Sequence, residues 1–227
     1  MTKRSPWHEL PSQAPYVLPS DKSTIDAFNG SGVDEDFVIR TTLLPEPFLG
    51  PLDAPVVVLL LNPGVGDEDE KFHGDETFRE ELLTALRSDN GPHFHLRENA
   101  RGPGHDWWRR VVGSLIKHEE ISRETLANNI LCLEYFSYHS KKFNHTHLRL
   151  PSQEFTFAQV RRAMARDAVI VTGRGFRIWC GAVPELASYE HACMIKSRNA
   201  SITKGNTTDG KFDLIVEKLR ASANSGQ

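Results

Sequence analysis

The apolar positions of this chain follow two rhythms. One is unbroken: Val56, Val57, Val58, Leu59, Leu60 and Leu61 have no polar alternation, as expected of a strand buried on both faces of a parallel sheet. Asn62-Pro63-Gly64-Val65-Gly66 then stops the strand and lets backbone approach whatever lies beyond its carboxyl end. The other rhythm is helical. Phe78, Leu82 and Leu86 recur at i, i+4 and i+8, and Phe212, Ile215, Val216 and Leu219 at i, i+3, i+4 and i+7.

Extended along the chain, these rhythms predict strands over 56–61, 129–135, 167–173 and 192–195. They predict helices over 77–88, 107–117, 154–165, 175–180 and 211–221. Strands alternating with helices imply right-handed crossovers. The expected fold class is therefore α/β: a doubly wound three-layer sandwich with a central four-stranded parallel sheet. Residues 1–35 are rich in Pro, Ser, Asp and Gly, and read as an N-terminal arm with a short helix near 24–28. A single α/β domain is expected over 36–222, and a disordered tail over 223–227. The polar stretch 89–104 has no periodicity, and loops of that length in compact domains are usually functional or mobile.

In such a fold every parallel strand ends at one edge, where open α/β sheets bind ligands. Four segments converge there: the 62–64 turn, the run 135–142, Thr172-Gly173-Arg174, and the run 197–206.

Composition narrows the setting. At 39% hydrophobic and 25% charged residues the chain has the balance of an ordinary globular protein. No apolar run approaches the roughly 18 residues of a membrane span, and no apolar segment follows Lys3 and Arg4, so a cytoplasmic protein without a membrane partner is expected. Cys132, Cys180 and Cys193 are odd in number and lack CxxC spacing, so no disulfide framework is expected. A net charge of -3 gives no overall attraction to nucleic acid, although a local basic strip would suffice.

The candidate chemistry lies at the strand ends. Asn62 could orient a water or hold a polar ligand, and equally reads as a turn initiator. The tract 134–142 joins Glu134, Tyr138 and His139 to Lys141 and Lys142, which suits a flat, anionic ligand, or else completes the core and a solvated edge. Hydroxyls, amides and a lysine interleave over 197–206, as in loops that hold phosphate or base edges. His93-x-His95 and His145-x-His147 lack a companion ligand at recognised spacing, so no metal and no cofactor are expected. Gly173-x-Gly175 lacks the rest of a dinucleotide fingerprint. A hydrolase on a small N-glycoside, with His139 and Glu134 as acid and base, is a further reading.

The apolar strand ending in Asn62-Pro63-Gly64 resembles the first motif of the uracil-DNA glycosylase superfamily, in particular its mismatch-specific and single-strand-selective branches. Asn199-Ala200-Ser201 resembles a degenerate form of its second motif, with Ala200 where Pro is usual. The resemblance covers roughly residues 40 to 220. It implies that Asn62 orients the attacking water and that Asn199 stabilises charge on the departing base. Ser201 and Lys204 would hold phosphates, and Phe72 would stack on the base. Gly64, Tyr138, His139 and Arg174 complete the expected ligand contacts. Glu134 stands nearest the amide with which the family reads uracil, and an ionised carboxylate accepts hydrogen bonds but donates none.

The expected function is hydrolysis of the N-glycosidic bond of a modified or mismatched base in DNA. The alternative is a non-catalytic nucleotide or nucleic-acid binder that keeps the cleft. The partner is thus DNA or a nucleobase or nucleotide ligand, and a monomer is expected.

Overall fold

The computed structural model describes residues 5–198 and 200–225. It contains five strands: β1 (Phe48–Leu49), β2 (Val56–Leu60), β3 (Ile130–Glu134), β4 (Val169–Thr172) and β5 (Ala192–Met194). Eight α-helices accompany them among the described residues: α1 (Lys22–Asn29), α2 (Asp69–Gly74), α3 (Glu76–Leu86), α4 (Pro103–Glu119), α5 (Arg123–Asn129), α6 (Gln153–Ala165), α7 (Phe176–Ala182) and α8 (Lys211–Ser225). The fold is mixed α/β with a mostly parallel sheet.

Strand order is β1-β3-β2-β4-β5. The apolar run at 56–60 lies at the centre, with Val58 opposite Cys132 on one side and Val171 on the other, both in parallel register. Burial on both faces is what its unbroken apolar sequence demands. The expected sheet of four strands gains a fifth: β1 pairs antiparallel with β3 at the edge, through Phe48 and Leu49. Two residues between Pro47 and Gly50 are too few to carry a periodic signal, so this strand is invisible to pattern reading.

Helix boundaries follow local chemistry. The Asp75 side chain accepts from the Phe78 N–H and caps α3, which buries Phe78, Leu82, Leu83 and Leu86. The Ser122 hydroxyl caps α5 in the same way. Pro103 opens α4 where its missing N–H costs nothing. Neither α2 nor α5 is predicted by periodicity, because each is under two turns and shows too little of an apolar stripe.

The N-terminal segment carries the short helix expected near 24–28, as α1, and packs into the core. Trp7, Leu10, Tyr16, Val17, Leu18 and Ile25 are buried in the main core. Tyr138 locks the segment in place: its hydroxyl donates to Asp21 at 2.8 Å and accepts from the Leu18 N–H at 3.2 Å. Asp21 also accepts from the Ser152 N–H at 3.1 Å. These apolar residues stand singly among Pro and Ser, so they bury without being periodic. The tail expected to be disordered over 223–227 continues α8 through Ser225; residues 226 and 227 lie outside the described ones. The stretch 89–104 is anchored at its middle, with Phe94, His95 and Leu96 buried in a 3-10 turn. No helix among the described residues is long and apolar enough to cross a membrane.

Replacing Asp21 with Ala is expected to cost about 3 kcal/mol, because it strands the buried Tyr138 hydroxyl and the Ser152 N–H together. Chemical denaturation would measure it, and an unchanged midpoint would show that the segment adds no stability.

Candidate functional site

The carboxyl ends of β2, β3 and β4 and the segment after β5 open onto one cleft of about 1060 Å³. Asn62, Gly64, Phe72, Glu134, His139, Arg174 and Ser201 all line it. The convergence follows from parallel pairing: with β2 between β3 and β4, their final residues stand side by side.

Asn62 is held in one orientation. Its Nδ2 donates to the Pro63 carbonyl and the Ser140 Oγ, both at 2.9 Å, and leans on the Ser140 carbonyl at 3.3 Å. Ser140 Oγ in turn donates to the Lys142 carbonyl at 3.0 Å, which leaves its lone pair for the amide. With the nitrogen fully engaged, Asn62 keeps Oδ1, an acceptor, as its remaining polar group.

Glu134 ends β3 as a buried residue, 4% exposed. Its Oε1 receives only a long S–H contact from Cys132 at 3.9 Å, and its Oε2 is buried without a hydrogen-bond partner. Burial, reinforced by the negative charge of Glu46, pushes this carboxyl well above the ordinary range. The shift favours the neutral acid, a form able both to donate and to accept.

The sign of the linkage is definite. Above the ordinary value of 4.5 and below its raised folded value, the folded chain holds a proton that the unfolded chain has lost. Stability therefore falls as pH rises through that window. Glu134→Gln should make this slope less negative by up to about 1.4 kcal/mol per pH unit, one proton's worth. Urea unfolding at a series of pH values would measure it; identical slopes in the two proteins would mean that Glu134 is ionised in the fold.

One wall of the cleft carries a second polar group that the sequence did not disclose. Glu46, His73 and His95, from the segment before β1, α2 and the 89–104 loop, line the cleft beside His139. His95 Nε2 lies 3.3 Å and 3.4 Å from the two Glu46 oxygens. Burial alone would raise the Glu46 carboxyl, but His95, then His139 and His73, outweigh it and bring it down to about 2. His73 is also lowered, to about 3, by burial and then by His139. Its Nδ1 accepts from the Leu44 N–H at 3.0 Å. His139 Nδ1 donates to the Gly64 carbonyl at 2.8 Å, so the imidazole clamps the turn that carries Asn62.

The 102–104 turn closes on this wall. Gly102 has φ 95°, and a Cβ there would meet the Phe72 ring at 3.1 Å; at Gly104 one would lie 2.5 Å from His95. Only glycine permits both approaches. The sole advance signal of the wall was the His93-x-His95 pair, whose companion Glu46 lies 49 residues earlier. His145 is a core residue: its ring stacks on Phe136 and its Nε2 bonds the Phe37 carbonyl.

Six cations line the cleft: Arg101, Arg110, Lys141, Lys142, Arg174 and Arg198. Arg101 pairs with Asp75 and Lys142 with Asp36. The other four make no ion pair among the described residues and are exposed. Phe72 and Trp107, both half-buried, add aromatic surface. Two expected ligand contacts lie elsewhere. Tyr138 is fully buried against Asp21 because the tract 134–142 turns it toward the N-terminal segment. Lys204 pairs with Asp213 at 3.0 Å, outside the cleft lining. Asn199 lies outside the described residues. Compared with family models, curated proteins and solved structures, the chain matches none of them.

Proposed function

We propose that this chain is a uracil-DNA glycosylase-like protein, built on a doubly wound three-layer frame, that hydrolyses the N-glycosidic bond of a modified or mismatched base in DNA. The observation that carries this reading is the buried carboxyl of Glu134, with Oε2 lacking a hydrogen-bond partner, in a cleft rimmed by unpaired cations. A neutral acid there meets both sides of a base edge. Its O–H donates to a ring carbonyl or nitrogen, and its carbonyl oxygen accepts from a neighbouring N–H. In that form Glu134 has the donor that an ionised carboxylate lacks.

The other parts then have roles. Phe72 and Trp107 offer flat apolar surface for an extruded base. Oδ1 of Asn62 accepts a hydrogen bond from the attacking water and aims its lone pair at the sugar carbon; the proton that this water loses ends on the departing base. As the bond breaks, charge gathers on the departing base, and the Glu134 O–H donor stabilises it where water is excluded. Asn199 would assist from the second motif. Arg110, Lys141, Arg174 and Arg198 hold the phosphates despite the net negative charge of the chain.

The test is release of free base from uracil-, hypoxanthine- and oxidised-base oligonucleotides, compared with Asn62→Ala. Oligonucleotide binding with no release of any base would overturn the enzyme and favour the non-catalytic binder. Binding itself should weaken with salt, and Lys141→Ala should lower the slope of log K against log salt by about 1. An unchanged slope would remove Lys141 from the phosphate path.

A further inference from the structure

The second polar group of the cleft has a use that the nucleobase reading does not require. Glu46, His73 and His139 each offer one ligand atom, and these atoms all lie within 4.8 Å of one another. All three residues are buried, and all three line the cleft. We propose that Glu46, His73 and His139 form a binding site for a divalent transition-metal ion of the zinc class, with an open coordination position facing the cleft.

Three features of the donor set support it. Two imidazoles and one carboxylate are the ligands that zinc and its neighbours prefer, and three protein ligands leave room for a fourth from solvent or substrate. Ligand atoms on one tetrahedral zinc stand about 3.4 Å apart, so a group already within 4.8 Å needs only a small contraction. The outer contacts also fit. His139 gives its Nδ1 proton to the Gly64 carbonyl, which leaves Nε2 bare, and that nitrogen is buried with no hydrogen-bond partner. His95 beside the Glu46 oxygens supplies the hydrogen bond that orients a ligating carboxylate.

The three ligands are not equivalent. Because the Leu44 N–H feeds Nδ1 of His73, the neutral ring carries its proton on Nε2. To ligate through Nε2, His73 must pass that proton to Nδ1 and give up the Leu44 bond. Glu46 and His139 need no such change. They are the anchoring pair, and His73 closes the site. A bound ion would polarise a substrate oxygen or carry an activated water within the cleft.

The experiment is titration of the chelator-stripped, full-length protein with Zn²⁺ by calorimetry and with Co²⁺ by visible absorption, neither of which needs a substrate. Uptake of one ion per chain is expected. Glu46→Gln and His139→Ala should each weaken it by at least about 100-fold, His73→Ala by less, and His95→Ala by about 10- to 100-fold. No stoichiometric uptake by the wild-type protein overturns the site, whatever the variants do. So does uptake that Glu46→Gln and His139→Ala leave unchanged, with folding checked by circular dichroism. Failure of base release leaves these readouts untouched, so the two proposals fall separately.

Discussion

Asn62→Ala should lower the rate of base release by roughly 100- to 1000-fold with little change in oligonucleotide binding, the loss typical of one preorganised polar group at a transition state. The size follows from how completely the amide is fixed. Nδ2 is committed to Pro63 and Ser140, Ser140 is committed to Lys142, and only Oδ1 is left for the water. No rotation is needed when the substrate arrives, so the group acts without reorganisation. Single-turnover rates would separate this loss from a binding defect. Ser140→Ala should give a smaller loss of the same kind, since it frees the amide without removing it. An Asn62→Ala protein that releases base at the wild-type rate would remove Asn62 from the mechanism.

Trp179→Ala should destabilise the fold by about 3 to 5 kcal/mol, the range for deleting a buried large aromatic. Trp179 on α7 is fully buried and packs edge-on against Tyr135 and Phe157. Its Nε1 donates to the Leu60 carbonyl at 3.0 Å, at the last residue of β2. The Tyr135 N–H donates to the same carbonyl at 3.0 Å, so the indole braces the point where β2 and β3 deliver Asn62 and Glu134 to the cleft. Trp179→Phe should keep most of the packing and lose the hydrogen bond, for about 1 to 2 kcal/mol. Thermal unfolding of both variants would measure the difference. A Phe variant as stable as the wild type would mean that the indole N–H contributes nothing, and a loss in Ala under 1 kcal/mol would mean that α7 is not part of the cooperative core.

What could be read from the chain follows the range of the interactions involved. The 56–61 run is a strand wherever it lies, because no other element hides six consecutive apolar residues so readily. Its neighbours over 130–134 and 169–172 carry the same mark. Helices with several turns, such as α3 and α4, also announce themselves, since each apolar face repeats often enough to be seen. Short elements do not: β1 has two residues and α2 six, and both are held by partners rather than by pattern. The burial of the N-terminal segment is invisible to pattern for a related reason, because Trp7 and Ile25 bury one at a time.

The cleft divides along the same line. Local sequence determined that Asn62 ends a buried strand, and the order of strands and helices determined that Glu134, His139 and Arg174 gather at the same edge. Both are consequences of backbone direction, which hydrophobic spacing encodes. Sequence could not determine where side chains point once they arrive. Tyr138 and His139 are adjacent, yet one enters the core and the other the cleft. Nor could it determine the upward shift of the Glu134 carboxyl, which burial sets first and the nearness of Glu46 second. The meeting of Glu46, His73, His95 and His139 belongs wholly to tertiary structure. Electrostatics and coordination act over a few ångströms in space, and the chain brings those four together from three loops and a short helix that no spacing rule connects.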